Sequence, residues 1–197
     1  MLVIGELINS TRKGIKEALR DRDADRIRHL ARKQLDAGAD VLDVNTATSR
    51  DQEIDDMEWA IGVIHDETGG DARLAIDSPK PEAVQRGLGK CRARPLVNSI
   101  TNDPRIQESL LPLIKEHDAD VIGLTMGKKG MPKTVEERLS EAGHLVDSVA
   151  KAGVALNRLY IDPLVMTIGS NQEQAVAVLE TVRSIKKRWG TEGVKTS

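Results

Sequence analysis

A chain of 197 residues with 39% hydrophobic and 30% charged side chains is long enough for one buried core and too apolar to stay disordered. Its net charge of −2 lacks the basic excess that nucleic acid attracts, and no apolar run approaches the roughly 20 residues needed to span a bilayer. The single cysteine, Cys91, excludes an internal disulfide and fits a reducing, cytoplasmic setting, while the lack of Phe demands a core of aliphatic side chains.

Short apolar runs alternate with longer helical patterns along the whole chain. The runs are Leu2–Ile8, Val41–Val44, Leu74–Ile76, Pro95–Val97, Val121–Thr125 and Leu159–Ile161. They start about 20 to 40 residues apart, and their continuous hydrophobicity predicts strands buried on both faces of a parallel sheet. Between the first two runs, Ile27, Leu30, Ala31 and Leu35 share one helix face, and Gly38 follows as a stop. Asp103-Pro104 supplies a cap and a first-turn proline before Ile106, Leu110, Leu113 and Ile114. Thr134-x-x-Glu137 and Ser170-x-x-Glu173 are candidate capping boxes. The first leads into Leu139, Ala142, Leu145, Val146 and Val149, ending near Gly153; the second leads into Val178, Leu179, Val182, Ile185 and Trp189. Gly190 to Ser197 reads as a turn and the first residues of a seventh strand. No linker divides the chain, which is read as one domain, 1–197. Six βα units fit an open doubly wound sheet or most of an eight-stranded barrel, and periodicity does not choose between them.

In either architecture ligands bind beyond the C-terminal ends of the strands. Glu6 and Asn9 stand there after the first run, Asp43 and Asn45 at the second, Asp77 after the third, Asn98 after the fourth and Asp162 after the sixth. Any one of them is equally well a helix cap or a loop anchor, because Asp and Asn favour both. A converging set of acids and amides implies a ligand rich in donors. Metal coordination is the competing answer, but no His or Cys joins the set at a ligand spacing. A pterin suits it: its exocyclic amine and ring N–H donate to carboxylates, and a carboxamide can donate and accept at once.

Six motifs stand in order along the chain: Met1-Leu-Val-Ile-Gly-Glu-Leu-Ile-Asn9, Leu42-Asp-Val-Asn45, Ile76-Asp-Ser78, Val97-Asn-Ser99, Ile122-Gly-Leu-Thr-Met126 and Tyr160-Ile-Asp-Pro163. Together they resemble the strand motifs of the folate-dependent corrinoid methyltransferases, from Met1 to about Trp189. The resemblance implies a pterin-binding TIM (β/α)8 barrel, commonly a homodimer. It implies an enzyme that moves a methyl group between N5 of tetrahydrofolate or methyltetrahydrofolate and the cobalt of a cobalamin-type corrinoid on a partner protein. It assigns pterin binding to Asp77, Asn98 and Asp162. Leu7 departs from the Arg usual in the family's opening. The family's functional Asn, on a seventh strand in a Gly-Leu-Ser-Asn-type motif, is expected beyond Ser197, so the chain is expected to be incomplete at its C-terminal end. Dihydropteroate synthases share the Asp/Asn/Asp set, but their Asn-x-Thr-Pro-Asp-Ser-Phe opening is replaced here by Asn9-Ser10-Thr11-Arg12-Lys13. A pterin-binding fragment without activity is the third alternative.

Other reactive residues have weaker claims. His29, His65, His117 and His144 scatter over predicted helices and read as structural. Cys91 lies between Lys90 and Arg92, charges of the kind that lower a thiol's pKa, but nothing pairs it with a base, so it does not read as a nucleophile. Lys128, Lys129 and Lys133 follow the fifth run in a loop, either merely solvated or meeting a folate's glutamate tail or an acidic corrinoid partner. Gly69-Gly70 precedes a strand rather than opening a helix, which argues against phosphate-binding and dinucleotide folds.

Overall fold

The computed structural model describes residues 1–47, 52–128, 130–165, 169 and 172–197. Strands and helices alternate: β1 (Ile4–Asn9), α1 (Lys13–Arg20), α2 (Ala24–Asp36), β2 (Val41–Asn45), α3 (Glu53–Thr68), β3 (Arg73–Asp77), α4 (Pro81–Lys90), β4 (Leu96–Ile100) and α5 (Pro104–Glu116). They continue with β5 (Asp120–Leu124), α6 (Val135–Lys151), β6 (Leu159–Asp162), α7 (Glu173–Trp189) and the short β7 (Lys195–Thr196). All six expected strands are present, and the tail forms the expected seventh. The chain falls into two compact units, residues 1–98 with 117–119 and residues 99–116 with 120–197.

In the first unit β1 pairs with β2, β2 with β3, and β3 with β4, all parallel. Leu42, Val44, Leu74, Ile76 and Val97 on the strands and Leu19, Ile27, Ile61, Ile64 and Val84 on the helices are buried, giving the aliphatic core that the composition requires. α2 packs on α3 and α3 on α4. Gly87 lets α4 lie close on β3, since a Cβ there would stand 2.9 Å from Ile76 Cγ2. Leu35 was expected on the buried face of α2. Gln34 is buried instead and Leu35 only half-buried, because the Gln34 side chain serves β1.

β1 is irregular: its register against β2 shifts between Gly5 and Ile8. Leu7 N–H, lost to the ladder there, donates to Gln34 Oε1 at 2.7 Å, and Gln34 Nε2 donates to Leu30 O at 3.2 Å. Gly5 makes room for this plug, since a Cβ would sit 2.7 Å from Gln34 Oε1.

In the second unit β5, β6 and β7 pair parallel in chain order, and α6 packs on α7. The Thr134 capping box forms as expected: Thr134 Oγ1 accepts from Glu137 N–H, and the Glu137 carboxylate accepts from Thr134 N–H. Ser170 of the other expected capping box lies outside the described residues. On α6 it is Arg138, not Leu139, that is fully buried in phase with Ala142, Leu145 and Val149. On α7, Thr181 and Ile185 are buried while Leu179, expected inward, is 58% exposed; none of the described residues covers it. Among the described residues no helix is long and apolar enough to cross a membrane.

Candidate functional site

Parallel registration in the first unit aligns the polar strand ends. Asn9 is the Cα partner of Asn45, Asn45 of Asp77, and Asp77 of Asn98, so one level across four strands reads Asn-Asn-Asp-Asn. Asp43 stands two residues before Asn45 on β2, and side chains two apart on a strand share a face.

Two carboxamide–carboxylate pairs organise this level. Asn45 Nδ2 donates to Asp77 Oδ2 at 2.9 Å. Asn45 Oδ1 accepts from Ser10 Oγ at 2.7 Å and from Ala47 N–H at 3.2 Å. Its oxygen is thus spent on neighbours, and one of its two N–H groups holds Asp77. In the second pair Asn98 Nδ2 donates to Asp43 Oδ1 at 3.0 Å. Asn9 Oδ1 turns to the Thr11 N–H and hydroxyl, at 2.9 and 2.7 Å, and anchors the loop. Glu6 is exposed at the irregular stretch of β1, near enough for its charge to act on Asp43.

Burial sets the electrostatics. Asp43 is 1% exposed, and desolvation pushes its carboxyl up to about 7. The Asn98 hydrogen bond works against that shift, and the charges of Asp77 and Glu6 add to it. Desolvation also raises Asp77, opposed by the bond from Asn45 and helped by the charge of Glu53. Glu53 is a component that the sequence reading missed. It is buried at the start of α3, where Ser78 Oγ donates to its carboxylate and Thr46 Oγ1 donates to its backbone carbonyl at 3.2 Å. An acid in a first helical turn looks like an ordinary response to the helix dipole, so no sequence signal marked it.

In the second unit Asp162 ends β6. Its Oδ1 accepts from Leu164 N–H at 2.7 Å, a turn in which Leu164 takes a left-handed φ of 57°. Burial raises the Asp162 carboxyl against that hydrogen bond, and Oδ2 has no partner among the described residues. Arg138 holds the following loop, donating from Nε to Pro163 O at 2.8 Å and from Nη2 to Leu164 O at 3.2 Å. Its place in the buried stripe of α6 was the available sequence signal. Elsewhere in this unit Thr101, Asp103, Arg105, Met126 and Lys128 line a cleft of about 600 Å³. Lys129 lies outside the described residues, and Lys133 N–H donates to Glu137.

Cys91 is governed by burial rather than by its charged neighbours. Burial pushes its thiol up to about 12 and Sγ donates to Gly87 O at 3.3 Å, so the flanking cations do not make a thiolate. His65 is buried, with Nε2 at 3.2 Å from Lys90 O, and desolvation lowers its pKa. Among the described residues no three His, Cys, Asp or Glu side chains gather to hold a metal ion.

Alternating strands and helices, with buried carboxylates and carboxamides at the strand ends, define a (β/α) protein with its polar groups gathered where that architecture places its sites. The chain belongs to the pterin-binding enzyme family, whose model matches residues 5–195. It is 30% identical over 190 residues to the methylcorrinoid:tetrahydrofolate methyltransferase of Eubacterium limosum, covering 94% of this chain and 69% of that protein. It is 28% identical over 199 aligned positions to the methionine synthase of Mycobacterium tuberculosis, covering 95% of this chain and 16% of that much longer protein. Among solved structures, the dihydropteroate synthase of Xanthomonas albilineans superposes with a TM-score of 0.72 at 18% identity, over 99% of this chain and 69% of that one. The fold is the pterin-binding TIM-barrel type rather than a doubly wound sheet, with six βα units and a short seventh strand present here.

Proposed function

We propose that this chain is a methyltransferase domain that moves a methyl group between N5 of a tetrahydrofolate and the cobalt of a corrinoid carried by a partner protein. The observation that carries this reading is the pair of locked acid–amide couples, Asn45 with Asp77 and Asp43 with Asn98, on a chain 30% identical to a methylcorrinoid:tetrahydrofolate methyltransferase.

Asp77 keeps Oδ1 without a partner among the described residues, an acceptor for the donor edge of a pterin. Asn98 keeps its carbonyl oxygen and one N–H for the second ring. Asp162, in the second unit, enters through its motif and its strand-end position. Such contacts orient the pterin, and orientation is a large part of what a displacement at N5 requires. N5 is a poor leaving group until it gains a proton or a strong hydrogen bond. Burial raises the carboxyls of Asp43, Asp77 and Asp162, and carboxyls perturbed by burial in this way cluster at functional sites.

The test is anaerobic methyl exchange with free cobalamin, followed by absorbance, with methyltetrahydrofolate supplied in one direction and tetrahydrofolate in the other. Turnover that falls by about 100-fold or more in D77N supports the assignment, equivalent to roughly 2.7 kcal/mol of transition-state stabilisation. Pteroate synthesis from a dihydropterin pyrophosphate and p-aminobenzoate, without methyl exchange, would transfer the chain to the synthase reading. Absence of any pterin binding would overturn both.

A further inference from the structure

Above about pH 7, where Asp43 is mostly ionised, the carboxamide of Asn98 is not free to turn over. Its Nδ2 donates to Asp43 Oδ1 at 3.0 Å, and an ionised Asp43 presents only acceptor oxygens. Rotating the amide by half a turn would set Asn98 Oδ1 against that carboxylate, replacing a charge-assisted hydrogen bond by repulsion between oxygens. Asp43 is itself held in a protein interior, 1% exposed, so water does not readily take over the bond. With Asp43 ionised, the polarity that Asn98 offers a ligand is therefore fixed: an acceptor oxygen beside one remaining N–H. The neighbouring Asn45 is locked likewise, by Asp77, Ser10 and Ala47, so it cannot compensate by turning.

That fixed polarity distinguishes two oxidation states of the ligand class. The inference rests on the pterin reading given above. In dihydro- and tetrahydropterins ring nitrogen N8 carries a hydrogen and lies beside N1, which does not; the edge is a donor next to an acceptor. It complements a carboxamide presenting an acceptor next to a donor. In a fully oxidised pterin N8 has lost its hydrogen, and both nitrogens are acceptors. The Asn98 oxygen would then face a lone pair, and Asp43 denies it the flip that would relieve the mismatch.

We propose that Asp43 is a specificity-determining positioning residue, which locks the Asn98 amide and so makes this chain select reduced over fully oxidised pterins. Replacing Asp43 by Asn keeps the shape but supplies a group that can donate or accept, which lets Asn98 take either orientation.

The experiment is anaerobic titration calorimetry of tetrahydrofolate and of folic acid into the 197-residue chain and into D43N, at about pH 8.5, where Asp43 is ionised. The wild-type chain is expected to bind tetrahydrofolate at least about 10-fold more tightly than folic acid. In D43N that ratio should shrink by about 5-fold or more, chiefly because folic acid binds better. A ratio unchanged in D43N overturns the role of Asp43, as does a parallel loss for both compounds. Failure of both compounds to bind the wild-type chain would overturn the pterin reading itself, a different result from binding without preference.

Discussion

Keeping Asp43 buried costs the folded chain stability wherever that carboxyl is ionised. Its ordinary value of 3.8 rises to about 7 in the folded chain, chiefly through desolvation. Between those values the folded chain keeps a proton that the unfolded chain has released, so stability falls as pH rises through that window. D43N removes the charge, and its gain over wild type should grow from near zero at about pH 4 to roughly 4 kcal/mol at about pH 8. Urea midpoints of the two chains across that range would measure it; a gain that does not vary with pH would mean that Asp43 is ionised throughout. A gain that grows with pH would make Asp43 a stability liability beside its proposed role in selectivity, a common trade at binding sites. Asp43, Asn45, Asp77 and Asn98 were readable in the sequence because each interrupts or ends an apolar run. Their pairing was not, since Asn98 and Asp43 stand 55 residues apart and meet only through strand registration. The raised thiol of Cys91 was hidden for a related reason: sequence shows its charged neighbours, whereas burial sets its pKa.

The irregularity in β1 shows how an element positions a site without touching it. Two devices sustain it, the missing side chain at Gly5 and the Gln34 carboxamide that takes the stranded Leu7 N–H. Gly5→Ala would drive a methyl into Gln34 and leave that N–H without its acceptor, and the loss of one buried hydrogen bond costs about 1–3 kcal/mol. Gln34→Ala should cost a similar amount by removing the acceptor directly. Because both substitutions break one contact, the double variant should be less destabilised than the sum of the two, by about 0.5 kcal/mol or more. Additive losses in denaturant unfolding would show that the two residues act separately. The strands themselves were legible as apolar runs, but their ends were placed short: Asn45, Asp77 and Asp162 belong to the strands, and their backbones pair although their side chains are polar. No helix face was assigned to α1, α3 or α4. α1 has only eight residues, and α3 buries Met57, Ala60, Ile61, Val63, Ile64 and His65, too broad a face to yield a clean stripe.

For the molecule as a whole, ligand and fold should be linked by mass action. A compound that binds only the folded chain stabilises it by an amount set by its concentration relative to Kd, about 2.7 kcal/mol at 100 times Kd. For a chain of this length each kcal/mol moves the thermal midpoint by roughly 2–4 °C, so saturating tetrahydrofolate should raise Tm by roughly 5–10 °C. The size of the shift must then track the site chemistry. D77N replaces a pure acceptor by a group that also donates, while Asn45 still holds it, so the unliganded variant should melt close to wild type and yet lose most of the shift. Removing the Asp77 charge also lifts a burial penalty, which works to raise rather than lower the unliganded midpoint. A variant that melts normally but no longer responds to tetrahydrofolate therefore separates recognition from folding, which a loss of activity alone does not. If D77N keeps the full shift, the pterin is held by other residues and the acid–amide pairs at the strand ends of the first unit serve the fold alone.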